Sequence, residues 1–402
     1  MPPYLIWPIT LVLLAAYALT DFRRQKGRLS GRIQRAKALG CPITPEEFGE
    51  AMAVPEAENA APVYERLQGA IDSMETEHPE SLKLLRETGL RSEDVNEKLK
   101  AALEDARPLI EIVQEASAFP SYRVNRLADP SNETLEDKTA PAIRLAVKAL
   151  IADTLLTAQG GHFEEAKRKM GVLRVAVEHS LYEQTVLSWL IRVSNATRYL
   201  QALNQLARMG CEQEGFLDWV EAQMENAPSL SPLLPCVKSE MAHSLAYGEM
   251  LKRTDFKKIF PGTISPPLSW SYFQTPAAIE AYVSRGVEGL LSAIKNWPED
   301  ESDWVKVGAA YQHKKGAPWW VTPSVVWHFG STNAASAIPA YQTTLRLSRT
   351  GLWLLREKVE KGYLPAHLGS LGELGRSAIN GAPFVYQTDG AHFELKSGSL
   401  RY

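Results

Sequence analysis

Apolar positions along this chain recur mainly with a helical period, and the pattern begins in its first residues. From Leu5 to Leu19 the run "LIWPITLVLLAAYAL" carries no charge, and the first charged side chain is Asp21. An uncharged lead of that length matches about one bilayer crossing as a helix. Pro8 falls near the start of such a helix, where a missing N–H costs least. A secretory signal normally opens on a basic region, whereas only the α-amino group precedes this run. An uncleaved anchor is therefore expected rather than a cleaved signal, although "AYA" at 16–18 mimics a cleavage site. A buried core helix fits less well, because the run ends abruptly in a basic segment.

Further along, helix follows helix. From Pro141 to Leu156, Ile143, Ala146, Val147, Leu150 and Ile151 recur at helical spacing, with Gly160 as the expected stop. The stretch 181–210 places Leu187, Leu190, Ile191, Leu200, Leu203 and Leu206 on one side, and Gly210 reads as its C-cap. More helices are predicted near 215–225, 235–253, 275–296 and 338–360, and proline-rich breaks at 226–235 and 261–270 separate them. Within 155–170, Gly160, Phe163 and Ala166 match the first helix of a tetratricopeptide unit. The small residues of its second helix are misplaced, so a simple helix hairpin is the better reading.

At 381–398 the period changes to alternation. Phe384 and Tyr386, then Phe393 and Leu395, flank Asp389-Gly390, a hairpin signal. Two strands alone are marginal, so this hairpin should pack on the 338–360 helix. The expected fold is mainly α: an N-terminal single transmembrane helix, an irregular helical bundle or array, and a short C-terminal β-hairpin. The segments are an anchor at 1–22, a basic juxtamembrane stretch at 23–48 and a helical domain at 49–260. A Pro/Trp-rich middle segment at 261–337 and the long helix with the hairpin at 338–402 complete the chain.

Composition narrows the class. The 402 residues are 45% hydrophobic and 23% charged, as in an ordinary globular protein. A net charge of -3 provides no global field for nucleic acid, and none is expected as a partner. The three cysteines, Cys41, Cys211 and Cys236, form no CxxC pair; a Cys211–Cys236 bridge is conceivable, but idle thiols are expected. Local charge matters more. Arg23, Arg24, Lys26, Arg28, Arg32, Arg35 and Lys37 follow the apolar run against Asp21 alone. By the positive-inside rule they would keep the body in the cytoplasm. Arg23, Arg24, Lys26 and Arg28 are the candidate lipid-facing cations, at about 1 kcal/mol each near an anionic surface. The alternative for them is a solvated helix face. "KALGC" lies too far past the run to serve as a lipidation box.

Candidate chemistry is sparse. No HExxH, Walker loop, GxGxxG or GxSxG occurs, and the eight histidines stand singly, so neither metal nor cofactor is expected. Gly369, Gly372 and Gly375 read as a loop rather than an anion cradle. Ser292-Ala-Ile-Lys295 is an SxxK, followed by Ser331-Thr-Asn333 and Lys396-Ser-Gly398, in the order found in penicillin-binding proteins. There the serine attacks an acyl group and the lysine removes its proton. Ser292 and Lys295 are thus the catalytic candidates, although their mid-helix context and the short tail after Lys396 argue against that fold. Five of the ten tryptophans lie between Trp297 and Trp327. Trp319, Trp320 and Trp327, near Lys314-Lys315, could form a sugar- or peptide-binding groove, and core filling is the competing reading. The acids of "PEDESDW" (298–304) are too clustered to act as a catalytic pair.

"LRLSRTGLWLLREKVEKGYLPAHLGSL" and then "NGAPFVYQTDGAHFELKSGS" resemble the ending of a large family of uncharacterised, membrane-anchored, mostly helical bacterial proteins. There a helix leads into G-x-[YL]-P and a D-P-x-x-G-x-P-[FL]-x-Y hairpin ending F-x-L-x-S-x-G. Gly362, Leu364, Pro365, Gly381, Pro383, Phe384, Tyr386, Phe393, Leu395, Ser397 and Gly398 fit that pattern. In 54–67, Pro55, Glu58, Asn59, Ala60, Ala61, Pro62 and Tyr64 resemble its other recurring stretch. The usual Asp-Pro reads Ser377-Ala-Ile here. The hairpin is also similar to the last strands of type II secretion pseudopilins, but a cleaved basic leader and one long helix are missing. The resemblance implies an exported body, against the basic flank, and brings no activity with it. Two functions follow: a single-pass envelope scaffold that binds a protein or cell-wall partner, or an envelope hydrolase, acyl- or glycan-directed, using the 292–333 region.

Overall fold

The computed structural model describes residues 16, 20, 23–25, 27–87, 97–125, 127, 139–228, 230, 233–253, 276–299, 306–307, 325–368, 371–398 and 400–401. These are mainly helical and end in a small antiparallel sheet. Helix α1 covers 23–25 and 27–38. Short elements follow: α2 (Pro45–Met52), a 3₁₀ turn (Glu56–Glu58), α3 (Ala61–Tyr64), α4 (Arg66–Glu77), α5 (Pro79–Glu87), α6 (Glu97–Asp105) and α7 (Arg107–Ala116). Then come the long helices α8 (Thr139–Gln159), α9 (Phe163–His179), α10 (Val186–Gly210), α11 (Phe216–Glu225), α12 (Leu233–Arg253), α13 (Pro276–Lys295) and α14 (Val325–Lys361).

Helix α10 is the axis. It packs against α8, α9, α11, α12 and α14, and Trp189, Tyr199, Leu200, Leu203 and Leu206 along it are fully buried. Its start lies at Val186 rather than 181, because Thr185 and Ser188 cap each other. The Thr185 hydroxyl accepts from Ser188 N at 3.1 Å, and Ser188 Oγ accepts from Thr185 N at 3.2 Å. Gly210 is not the left-handed C-cap that its position suggests; the positive φ (67°) falls at Gly215. Gly210 instead makes room, since a Cβ there would lie 2.6 Å from the Phe216 ring. Similarly, α8 ends three residues later than expected, and Gly161 (φ 80°) rather than Gly160 turns the chain into α9. The two helices form the expected hairpin.

Helices α11, α12 and α13 lie within two residues of their predicted spans, whereas α14 starts earlier, at Val325, and runs through Pro339. An internal proline removes one backbone bond and costs about 3 kcal/mol. Contacts beside it offset that cost: Ile338 and Tyr341 are buried, and Tyr341 Oη donates to Pro228 O at 3.0 Å.

The alternating tail forms β1 (Val385–Thr388) and β2 (Phe393–Ser397), paired Val385↔Lys396 through Thr388↔Phe393 across the Asp389-Gly390 turn. A third strand, β3 (Leu400–Arg401), adds to β2. Phe384 and Leu395 are buried, and β2 packs on α14 as the alternation predicts. Ser377 is buried, and its hydroxyl accepts from Ile379 N at 3.2 Å. All three cysteines are free thiols.

Among the described residues no helix is long and apolar enough to cross a membrane. The Leu5–Leu19 run lies almost wholly outside them. Ala16 and Thr20 are helical, with Thr20 Oγ1 donating to Ala16 O at 2.8 Å.

The α12–α13 contact depends on one missing side chain: a Cβ on Gly248 would fall 2.3 Å from Val283 Cγ2, a stiff branched methyl. Gly248→Ala should lower stability by about 1–3 kcal/mol in thermal unfolding. With Val283→Ala in the same chain, the loss should be smaller than the sum by at least about 0.5 kcal/mol. Simple additivity would mean that the helices are not held at this point.

Candidate functional site

Helix α1 carries the basic segment, and it is not a loose tether. Gln25, Leu29, Arg32 and Ala36 fall at helical spacing on one face, and of these Gln25, Arg32 and Ala36 are buried. That face meets α13. Arg32 Nε donates to Glu288 Oε2 at 2.5 Å, while Nη1 reaches Ser284 Oγ (2.5 Å), Ser284 O (3.0 Å) and Gln25 Oε1 (2.7 Å). Ser284 Oγ in turn donates to Gln25 O at 2.9 Å. A buried guanidinium is tolerable only when opposite charge and acceptors replace its water, and Arg32 has both.

The seven cations that follow the apolar run therefore divide between the fold and solvent. Arg32 is 5% exposed, Arg35 lies 3.6 Å from Glu288, and Lys37 lies 3.6 Å from Glu47. Those three have partners in the fold. Arg23, Arg24 and Arg28 are exposed, and Lys26 lies outside the described residues.

Several of the motif residues that carry the resemblance are used internally. Asn59 Oδ1 accepts from Ala61 N (3.1 Å) and Arg123 N (2.9 Å), and its Nδ2 donates to Arg123 O at 3.0 Å. Ala60 is fully buried, and its N–H donates to Ser121 O at 2.8 Å. Tyr386 Oη donates to Pro365 O at 2.7 Å, and Gly362, Gly381 and Gly398 adopt the positive φ that favours glycine. Such roles shape a fold rather than attack a substrate.

Tyr64, from the same stretch, ends on His179. Nε2 of His179 stands 3.1 Å from the Phe119 carbonyl and must donate, so Nδ1 accepts from the Tyr64 hydroxyl at 3.1 Å. Burial pushes the His179 pKa down to about 4; the Phe119 bond opposes this and Arg123 adds to it. Burial also pushes the Tyr64 phenol up. The ring is thus a neutral, satisfied core histidine, and no group of three metal-ligating side chains occurs among the described residues.

Ser292 and Lys295 sit in the last turns of α13. Ser292 is half-buried, Lys295 is exposed, and Asn296 donates to the Ser292 carbonyl from both its backbone (3.2 Å) and its side chain (2.8 Å). Lys396, third in the motif order, pairs with Glu394 on β2 at 2.6 Å. Trp319 and Trp320 lie outside the described residues, as does the Trp327 side chain, although Trp327 belongs to α14. Trp297, of the same cluster, packs partly buried against the core. A shallow cleft of about 230 Å³ opens between the 211–218 turn and Arg356, Val359 and Glu360. It is smaller than an ordinary ligand pocket. Arg356 within it is already held by Asp218 (2.6 Å) and Glu221 (2.8 Å).

Two outcomes test these assignments. Arg32→Ala should cost about 3 kcal/mol and leave Glu288 and Ser284 without their donor, whereas Arg23→Ala should stay within about 0.5 kcal/mol. Arg32→Lys should recover only part, because one ammonium cannot span the same acceptors. Equal effects at positions 23 and 32 in a denaturant titration would refute the clasp.

The His179 pKa is depressed in the fold relative to its ordinary 6.5. The unfolded chain therefore takes up a proton first as pH falls. Stability should be flat above pH 6.5 and decline by roughly 3 kcal/mol down to about pH 4, and His179→Gln should flatten that slope. A slope unchanged in the variant would assign the decline to other groups.

Comparison with known proteins adds no relative: no family model, curated protein or solved structure matches this chain.

Proposed function

We propose that this chain is a single-pass, membrane-anchored helical protein of the bacterial cell envelope, a scaffold whose body holds a protein or cell-wall partner. The observation that carries the reading is the Arg32 clasp. A segment that directly follows a bilayer-length apolar run ordinarily serves as a flexible tether. Here it is a helix fastened to α13 through Glu288, Ser284 and Gln25. An anchor at 1–22 would then orient the body rigidly at the membrane surface instead of leaving it to swing. The exposed cations Arg23, Arg24 and Arg28 would meet lipid head groups at about 1 kcal/mol each.

Scaffolding rather than catalysis is supported by how the recognisable motifs are used. Asn59, Tyr64 and Tyr386 bond to other parts of the fold instead of lining a cleft. A serine nucleophile needs an oriented base, and Lys295 points to solvent one turn away from Ser292. The family resemblance places the body outside the cytoplasm in this reading. Pairing within the fold gives Arg32, Arg35 and Lys37 a purpose other than marking the cytoplasmic side.

Reporter fusions after Tyr402 test both halves of the proposal. A reporter that works only outside the membrane should be active, and the full chain should resist alkaline carbonate extraction while a chain starting at Arg23 is released. Release of the full chain by carbonate would remove the anchor. Activity of the cytoplasmic reporter alone would move the scaffold to the inner leaflet and overturn the envelope assignment.

A further inference from the structure

Half-buried cations in this protein are generally paired. Arg32 meets Glu288, Lys169 meets Asp153 at 2.7 Å, Arg192 meets Glu178, and Arg356 meets Asp218 and Glu221. The packed helices α8 and α10 carry an exception. Arg144 and Lys148 stand one turn apart on α8, and Arg198 stands on α10. Among the described residues no carboxylate forms an ion pair with any of the three. Lys148 and Arg198 are both half-buried. The neighbouring charges that act on them are positive: burial, then Arg198 and Arg144, lower the proton affinity of Lys148, while burial and then Arg144 do the same at Arg198.

Two of the three side chains are also oriented from behind, while Arg144 is exposed. Arg198 Nη1 donates to Asn195 Oδ1 at 2.9 Å. Asn195 is fully buried, and its Nδ2 donates to Ser180 Oγ at 2.8 Å, which bonds Ala176 O at 3.0 Å. Lys148 Nζ donates to Arg86 O, in the last turn of α5, at 2.7 Å. The Lys148 and Arg198 head groups thus each spend one donor on the protein and keep others free. Gathering like charges in a partly dry place costs stability unless an anion joins them. Two guanidinium forks and one ammonium suit a group with several charged oxygens held close together.

We propose that Arg144, Lys148 and Arg198 form a binding site for a phosphate group, carried either by a soluble phosphate compound or by a lipid head group. The site is separate from the Arg32 clasp and does not depend on the membrane reading.

The test uses the full chain in neutral detergent, with sodium chloride at matched ionic strength as the control. The probes are inorganic phosphate and a short-chain phosphatidic acid. At least one should raise the unfolding midpoint, by about 3 °C when present well above its Kd. A response to phosphate would identify a soluble ligand, and a response to the lipid alone a head group. Arg144→Gln should weaken the responding probe by about tenfold or more. Without any probe, that variant should melt no lower than the parent, because a repulsion has been removed. Arg198→Gln should also abolish the response, and Arg144→Gln keeps the test valid if loss of the Asn195 bond unfolds the second variant. No shift with either probe, an equal shift in parent and Arg144→Gln, or a lower melting point of unliganded Arg144→Gln would each overturn the proposal.

Discussion

Enclosure of α10 is the constraint on which the rest of the structure depends. A helix with neighbours on most of its faces cannot leave its buried polar residues to water, so adjoining elements must supply partners for them. Asn204 Nδ2 donates to Ser348 Oγ at 2.9 Å and thereby marks where α14 crosses. Asn195 bonds to Ser180 at the end of α9, and the Trp189 indole donates to Leu230 O at 2.9 Å. Apolar burial provides the driving force around this helix, and these few bonds select one arrangement among many that would bury similar area. Passage of α14 through Pro339 follows from the same logic, since packing around Ile338 and Tyr341 outweighs one lost backbone bond.

The periphery repeats the principle with larger charges. Asn59 ties the start of α3 to the 121–123 segment, His179 joins Tyr64 to Phe119, and Arg32 joins α1 to α13. In each case a side chain of a type used in chemistry is occupied in joining pieces of chain far apart in sequence. The unbalanced cations between α8 and α10 are informative because they depart from this economy. In the function proposed above, a clasped N-terminal helix and an anion site would serve a protein that positions other molecules.

Much of the architecture was legible along the chain. Helices α11, α12 and α13 declared themselves through period and breaks, and the hairpin through alternation about Asp389-Gly390. The short helices α2 to α7 did not, because helices of four to twelve residues complete few turns for periodicity to stand out, and Pro62, Pro79 and Pro108 each open a new helix within that stretch. Gly210 was misread for a related reason. A glycine near a helix end signals a left-handed cap in sequence, but its use here, to admit the Phe216 ring, depends on a contact in space. The basic segment was legible as charge and illegible as structure. Nothing in "RRQKGRLSGRIQRAK" separates Arg32 from Arg28, since only the position of α13 decides which arginine turns inward.

What the sequence by itself determined is the local part: helical period over most of the chain, the turn chemistry of the tail, and an uncharged run followed by cations. These depend on residues within a few positions of one another, and local sterics and backbone bonding suffice to set them. Tertiary structure alone decided which polar residues became internal fasteners. It buried Arg32 against Glu288, neutralised His179, and left Arg144, Lys148 and Arg198 without an ion-pair partner among the described residues. Those outcomes arise from desolvation and from partners distant in sequence, and a side chain's electrostatic environment exists only once the helices have packed.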